Sequence, residues 1–267
     1  MTILQAIILG LLQGATEFLP VSSSGHLFLT QKLLGLNEPE LAFDTLLHLG
    51  TLGAVLFFLR REIADMAGSL FDRRKFFPKR AWGRREIGLI LLATLPTGII
   101  GLAFHKVVET QLTVLGIGLR YLVLTGLLIV SGMRLRDKWD PERIDWWEAL
   151  AIGTLQGLAV FPGLSRSGST IVLALLLGIG SVRAARFSFL ISLPAILGAA
   201  LMNLRKGAGV SVLPDMIPSV IGFGLALVVG YLSLLLVERL VVQGRFKWFA
   251  PYTAFLAVLC FYLYRQG

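Results

Sequence analysis

Pro162-Gly163-Leu164-Ser165-Arg166-Ser167-Gly168-Ser169-Thr170 is a charged, hydroxyl-rich turn set between two apolar runs, Trp147 to Phe161 and Ile171 to Ile179. Each run is too short to cross a ~30 Å hydrocarbon core, which takes about 20 helical residues. The turn is therefore expected inside the membrane. Irregular backbone at that depth is tolerated only where protein buries it or it lines a wet cavity, and an ionisable residue there points to function. The run that follows reads as a helix start, so its free N–H groups and dipole favour an anion beside Arg166, whose planar fork suits phosphate oxygens. Ser165, Ser167 and Thr170 add hydroxyls, and the whole reads as a phosphate cradle in lipid.

Working outward, the chain has 267 residues, 55% of them hydrophobic and 15% charged, with a mean hydropathy of +0.77. That balance is a polytopic membrane protein, and the long apolar runs make it all-α. The net charge of +9 does not indicate nucleic acid, because the basic residues sit in short loops between apolar spans. Cys260 is the single cysteine, so an internal disulfide is excluded, and no Cys/His spacing resembles a zinc site. The apolar start from Ile3 to Leu12 lacks a basic leader and is followed by Gln13 and Glu17, so it is not expected to be a cleaved signal peptide.

The region Ile3 to Leu36 repeats the opening design: two half-length helices around a polar turn, Gln13 to His26. A shift of 143 positions lays Ala6 on Ala149, Gly10 on Gly153, Gln13 on Gln156, Gly14 on Gly157, Phe18 on Phe161, Ser22 on Ser165, Ser24 on Ser167 and Gly25 on Gly168. Ungapped identity of that density indicates an internal duplication. Three full apolar spans separate the copies, near Ala42 to Leu59, Ile87 to Phe104 and Leu112 to Met133; three more follow, near Ala184 to Leu204, Leu213 to Val237 and Trp248 to Tyr264. If each copy is a re-entrant hairpin, the odd number of crossings between them inverts the second. The expectation is six transmembrane helices and two hairpins, divided into repeats at 1–141 and 142–267.

Charge agrees with that plan. Placing Arg60 to Glu86, Arg134 to Arg143, Arg183 with Arg186, and Arg239 to Lys247 inside puts 18 of the 25 lysines and arginines there. Both termini then face out. The loop Phe71 to Arg85, basic with aromatics, is expected on the inner headgroup surface. Arg120, alone in an apolar run, is assigned no role.

Gln13 and Glu17 are four apart and share a helix face. Together they offer a carboxylate and an amide oxygen to a hard cation, Mg²⁺ or Ca²⁺; the plainer reading has Gln13 bridging helices and Glu17 pairing with Arg166. Ser22, Ser23 and Ser24 with Gly25 and His26 supply hydroxyls, close backbone approach and an imidazole. Ser23 is the candidate nucleophile, with His26 as its base or as the orienter of a water. Asp44 and His48 either line the pocket mouth or pair to hold helices, and His105 reads as interfacial.

Ser24-Gly25-His26 also resembles the turn of the phosphohistidine lipid phosphatases, but those need a second, later histidine, and nothing after His105 is one. Three motifs instead resemble the undecaprenyl-diphosphatase family, also called bacitracin-resistance proteins: Gln13 with Glu17, Pro20 through His26, and Pro162 through Thr170. The resemblance spans essentially the whole length. It implies a divalent-metal-dependent membrane phosphatase that converts undecaprenyl diphosphate to the monophosphate carrier of cell-wall synthesis. The site would open to the outer face of the bacterial cytoplasmic membrane. By motif position it gives roles to Glu17, Ser23, His26, Ser165, Arg166, Ser167 and Thr170. Gln13 stands where many members have Glu, and a neutral amide is the weaker cation ligand. The partners expected are a polyprenyl diphosphate lipid and membrane lipids, with no nucleic acid; a homo-oligomer is left open. The rival readings are a transporter or flippase of a phosphorylated lipid, since inverted repeats with broken helices are a transporter plan, and a structural scaffold.

Overall fold

The structure, a computed structural model, describes residues 1–36, 41–71, 82–110, 113–133, 135, 140–205 and 216–266. In order these form α1 (Ile3–Thr16), α2 (Ser23–Leu33), α3 (Leu41–Phe58), α4 (Arg60–Phe71), α5 (Arg84–Thr110), α6 (Val114–Val130), α7 (Trp146–Leu158), α8 (Arg166–Leu176), α9 (Ser181–Arg205), α10 (Met216–Val242), a 3-10 turn (Phe246–Phe249) and α11 (Ala250–Gln266). No strand occurs among the described residues.

Five helical segments there are long and apolar enough to cross a membrane: Leu41–Phe58, Arg84–Phe104, Ser181–Asn203, Met216–Val242 and Phe246–Gln266. Their uncovered faces are apolar. On α5, Leu91, Leu95, Ile99 and Leu102 are each 59–67% exposed and recur at helical spacing, a stripe that only lipid covers favourably. The protein is a multi-pass membrane protein. The span expected over Leu112 to Met133 is shorter in the structure. Thr113 caps α6 through its hydroxyl on the Gly116 N–H (3.1 Å), and the helix ends before Ser131 and Gly132. Its 17 residues rise ~25 Å, below the other spans.

Several elements match in length at the repeat positions, whereas α3 (18 residues) and α9 (25 residues) differ and α4 has no counterpart after α8 among the described residues. α1 and α7 both start 20 residues ahead of a second short helix, α2 and α8 contain 11 residues each, α5 and α10 contain 27 each, and α6 and α11 contain 17 each. Each short leading helix packs on a long helix of the other half, α1 on α10 and α7 on α5. Glycines at four-residue spacing permit this approach. A Cβ on Gly153 would lie 2.1 Å from the Ala93 carbonyl oxygen, and one on Gly10 would lie 2.8 Å from that of Gly222.

Arg60 to Glu86 was expected as loop, but its first part is helical. Glu62, Met66 and Ser69 recur on one buried face of α4. The remainder, 72–81, lies outside the described residues. Around this end of the bundle Arg183 donates to Glu86 (2.7 Å) with its guanidinium 3.7 Å above the Trp82 ring. Arg186 bonds both Glu238 (2.7 Å) and Glu62. These pairs tie α4, α5, α9 and α10 together.

Candidate active site

Both polar turns are built alike. Ser22 caps α2 by accepting from the Gly25 N–H (3.4 Å), and Ser165 caps α8 by accepting from the Gly168 N–H (3.1 Å). A serine oxygen at the N-cap satisfies one of the helix's orphan donors. Ser22 (φ 65°) and Ser165 (φ 52°) are the described non-glycine residues with positive φ, and they are repeat mates. Strain of this kind costs about 1–3 kcal/mol and persists only where the surroundings enforce it.

The enforcing contact is mutual. Ser22 Oγ also accepts from the Gly163 N–H (2.9 Å), while Ser167 Oγ donates to the carbonyls of Glu17 (3.3 Å) and Leu19 (3.4 Å). The two turns, 141 residues apart in sequence, thus hold each other. Gly163 has φ 106°, and a Cβ there would lie 2.9 Å from the Ile117 carbonyl oxygen, so this position needs glycine. Arg120, given no role from sequence, donates from Nε to the Pro162 carbonyl (2.5 Å) and pins the second turn to α6.

Glu17 is the hub. Its Oε1 accepts from Arg166 Nη2 (2.7 Å), and its Oε2 accepts from Ser23 Oγ (2.6 Å) and Gln13 Nε2 (3.0 Å). His48 Nε2 stands 3.7 Å from Oε2. This set of donors compensates the burial of a carboxylate that is only 8% exposed. Arg166 spends one terminal nitrogen on Glu17; the other, Nη1, is buried with no partner. A buried guanidinium N–H on the first residue of α8 is thus an unsatisfied donor.

Ser23 and His26, read from sequence as nucleophile and base, engage different partners. Ser23 bonds Glu17, whereas His26 Nδ1 bonds the Ser22 carbonyl (2.8 Å) and His26 Nε2 bonds the Tyr252 hydroxyl (2.8 Å). Tyr121, fully buried, adds its hydroxyl 3.2 Å from Nδ1. Neither tyrosine was visible as a site residue, because partners 95 and 226 positions away leave no local pattern. Ser167 and Thr170 are fully buried. Thr170 Oγ1 donates to the Arg166 carbonyl (2.9 Å) and lies 2.6 Å from Ser188 Oγ, so it braces α8 against α9.

Of the second pair, His48 Nδ1 donates to the backbone carbonyl of Asp44 (2.7 Å), and the Asp44 carboxylate accepts from Gln31 Nε2 (2.7 Å). His48 is thereby turned towards Glu17. The His105 side chain lies outside the described residues.

No cluster of three His, Cys, Asp or Glu ligands occurs among the described residues. The Gln13 and Glu17 pair nevertheless fits a hard cation in kind. Gln13 is fully buried, and Oε1 of its amide has no partner. That open oxygen is not sufficient alone, since the repeat mate Gln156 also leaves Oε1 open. The difference is the adjoining carboxylate, for Val160 stands where the first copy has Glu17. One carboxylate and one amide oxygen, completed by water and phosphate oxygens, suit Mg²⁺ or Ca²⁺.

Fold and site together define a polytopic membrane protein that carries a buried polar cradle, made from two copies of one broken-helix turn and held shut by a carboxylate–guanidinium pair. The chain belongs to the family described as bacitracin resistance protein BacA, whose model matches residues 6–259. It is 40% identical over 270 residues to an undecaprenyl-diphosphatase of Carboxydothermus hydrogenoformans, covering 98% of each chain. It is 40% identical to one of Desulfatibacillum aliphaticivorans, covering 93% of this chain and 94% of the relative. It is 38% identical to one of Methanosphaera stadtmanae, covering 96% of each.

Proposed function

We propose that the protein hydrolyses undecaprenyl diphosphate to undecaprenyl phosphate and inorganic phosphate, recycling the lipid carrier of cell-wall synthesis. The observation that carries this reading is the buried, unpartnered Nη1 of Arg166 beside the two capped helix starts. Family membership and the names of the relatives support it.

In the proposed reaction the diphosphate enters the cradle with its prenyl tail among the apolar helices. Ser23 Oγ attacks the terminal phosphorus and passes its proton to Glu17 Oε2, the acceptor it already faces at 2.6 Å. An O–P bond to Ser23 forms, and the bond to the bridging oxygen breaks and releases undecaprenyl phosphate. Once protonated, Glu17 loses its charge and its hold on Arg166, so the guanidinium is freed for the transferred phosphoryl group. Positioning and charge stabilisation supply most of the rate in such transfers. Water, oriented by His26, then displaces phosphate from Ser23, and Glu17 returns the proton to the serine. Gln13, with Glu17 while its carboxylate is ionised, would hold Mg²⁺ or Ca²⁺, which when bound supplies positive charge to offset the diphosphate. Arg166, Ser22, Ser165 and the N–H groups of both helix starts are the phosphate contacts, with Ser167 and Thr170 bracing the turn.

The same proposal includes the membrane arrangement: halves 1–141 and 142–267 inverted, α6 as the sixth crossing, α1–α2 and α7–α8 re-entrant, and the site open to the outer face of the bacterial cytoplasmic membrane. With Cys260 replaced, Lys32→Cys should label from outside and Gln243→Cys from inside; labelling of both from one face overturns the inversion. A flippase reading is favoured by the exchange of leading helices between halves, α1 on α10 and α7 on α5. Phosphate release by purified protein decides between the two. Acid quench of a single turnover should trap phosphoserine at Ser23. Absence of the adduct, with Ser23→Ala slowed only by the ~0.5–1.5 kcal/mol worth of one neutral hydrogen bond, moves the attack to a water held by His26.

A further inference from the structure

The last helix completes the histidine of the first turn. The Ser22 carbonyl oxygen can only accept, so the 2.8 Å contact requires a proton on His26 Nδ1. Nε2 is then the nitrogen with the free lone pair, and the Tyr252 hydroxyl, 2.8 Å away, donates to it. The two rings lie nearly parallel, 16° apart with centroids at 5.8 Å. Tyr121 completes the enclosure on the Nδ1 side.

Tyr252 is itself held firmly. The next residue, Thr253, is fully buried and its hydroxyl lies 2.8 Å from that of Thr125 on α6. One face of the same helix meets α6 at Gly118, where a Cβ would come within 2.8 Å of the Cys260 Cβ. The hydroxyl of Tyr252 therefore reaches Nε2 from a rigid pair of helices, and orientation imposed in this way fixes which nitrogen is basic.

We propose that Tyr252 is a positioning residue for the hydrolysis, acting through His26. It fixes the Nδ1–H tautomer and the ring orientation of His26, and because a phenol both donates and accepts, it stays bonded whether the imidazole is neutral or protonated. This rests on the phosphatase reading above. The competing explanation is an interfacial aromatic anchor, for Tyr252 is 43% exposed on a membrane-spanning helix.

The test compares Tyr252→Phe, which removes only the hydroxyl, with Tyr262→Phe, an exposed tyrosine farther along α11. Two readouts are taken: steady-state phosphate release from a prenyl diphosphate, and the rate at which diethyl pyrocarbonate modifies His26 relative to His48, located by mass spectrometry. Tyr252→Phe should lower kcat by about tenfold with KM changed less than about twofold, the signature of a group that acts only in the reaction. His26 should be modified at least about threefold faster relative to His48, while Tyr262→Phe leaves both readouts as in the wild type. A kcat within twofold of wild type, or a lowered kcat with unchanged His26 modification, overturns the proposal. Should Tyr252→Phe fail to fold, the wild-type protein still decides, since modification of His26 ahead of His48 contradicts an occupied Nε2. The modification readout needs no turnover, so failure of the phosphatase reading would be seen separately, as absence of phosphate release by the wild type.

Discussion

Arg166→Lys isolates the fork of the guanidinium from its charge. Arg166 uses Nη2 on Glu17 at 2.7 Å and keeps Nη1 open, so one side chain grips the carboxylate and reaches for phosphate from two nitrogens. A lysine ammonium is a single point of charge and cannot hold both positions. The variant is expected to keep the ion pair with Glu17, which as a buried pair would cost about 3–5 kcal/mol to break, and to lose one hydrogen bond to phosphate. A hydrogen bond between charged groups contributes ~1.5–3 kcal/mol, and each ~1.4 kcal/mol is tenfold in rate. Phosphate release should therefore fall by about 10-fold to 150-fold in kcat/KM. The thermal unfolding midpoint should move much less than in Arg166→Ala, which leaves Glu17 without its cation. Turnover within about threefold of wild type, with the protein stably folded, would refute the reasoning and reduce Arg166 to a structural partner of Glu17.

Two further perturbations probe the metal pair and the packing. If Gln13 and Glu17 share a cation, Gln13→Glu should lower the Mg²⁺ or Ca²⁺ concentration for half-maximal activity and Glu17→Gln should raise it or abolish activity; identical metal titrations for all three proteins would remove the cation from this pair. Gly153→Ala places a Cβ 2.1 Å from backbone oxygen of Ala93 and should destabilise by about 1–3 kcal/mol through overpacking, whereas Gly98→Ala, with nothing within 4 Å, should be neutral or stabilising by up to ~1 kcal/mol, as read from thermal unfolding in detergent.

Composition, apolar run length and the 143-residue repeat were sufficient to determine a helical membrane protein with two short-helix turns. α2 and α8 begin at Ser23 and Arg166, where the repeat alignment puts them, because hydrophobic length and N-cap chemistry are local properties that a run of residues carries by itself. The ionisable members of the candidate site stood out in the sequence for a related reason. A carboxylate, an imidazole and a guanidinium inside apolar sequence are too costly to bury without a partner, so Glu17, His26 and Arg166 announced themselves. Their pairing did not. Only the tertiary structure decided that Ser23 faces Glu17 rather than His26, that Thr170 turns to Ser188, and that tyrosines of α6 and α11 enclose the imidazole. A hydroxyl has several acceptors within reach along its own helix, and the choice among them rests on how two distant turns and two later helices pack. The same holds for α6, whose length was set by a threonine cap and a Ser-Gly end within a continuous apolar run. Burial energy marks which residues must find partners, while the partner found depends on close approach through Gly10, Gly153 and Gly163, a geometry that exists only once the halves have met.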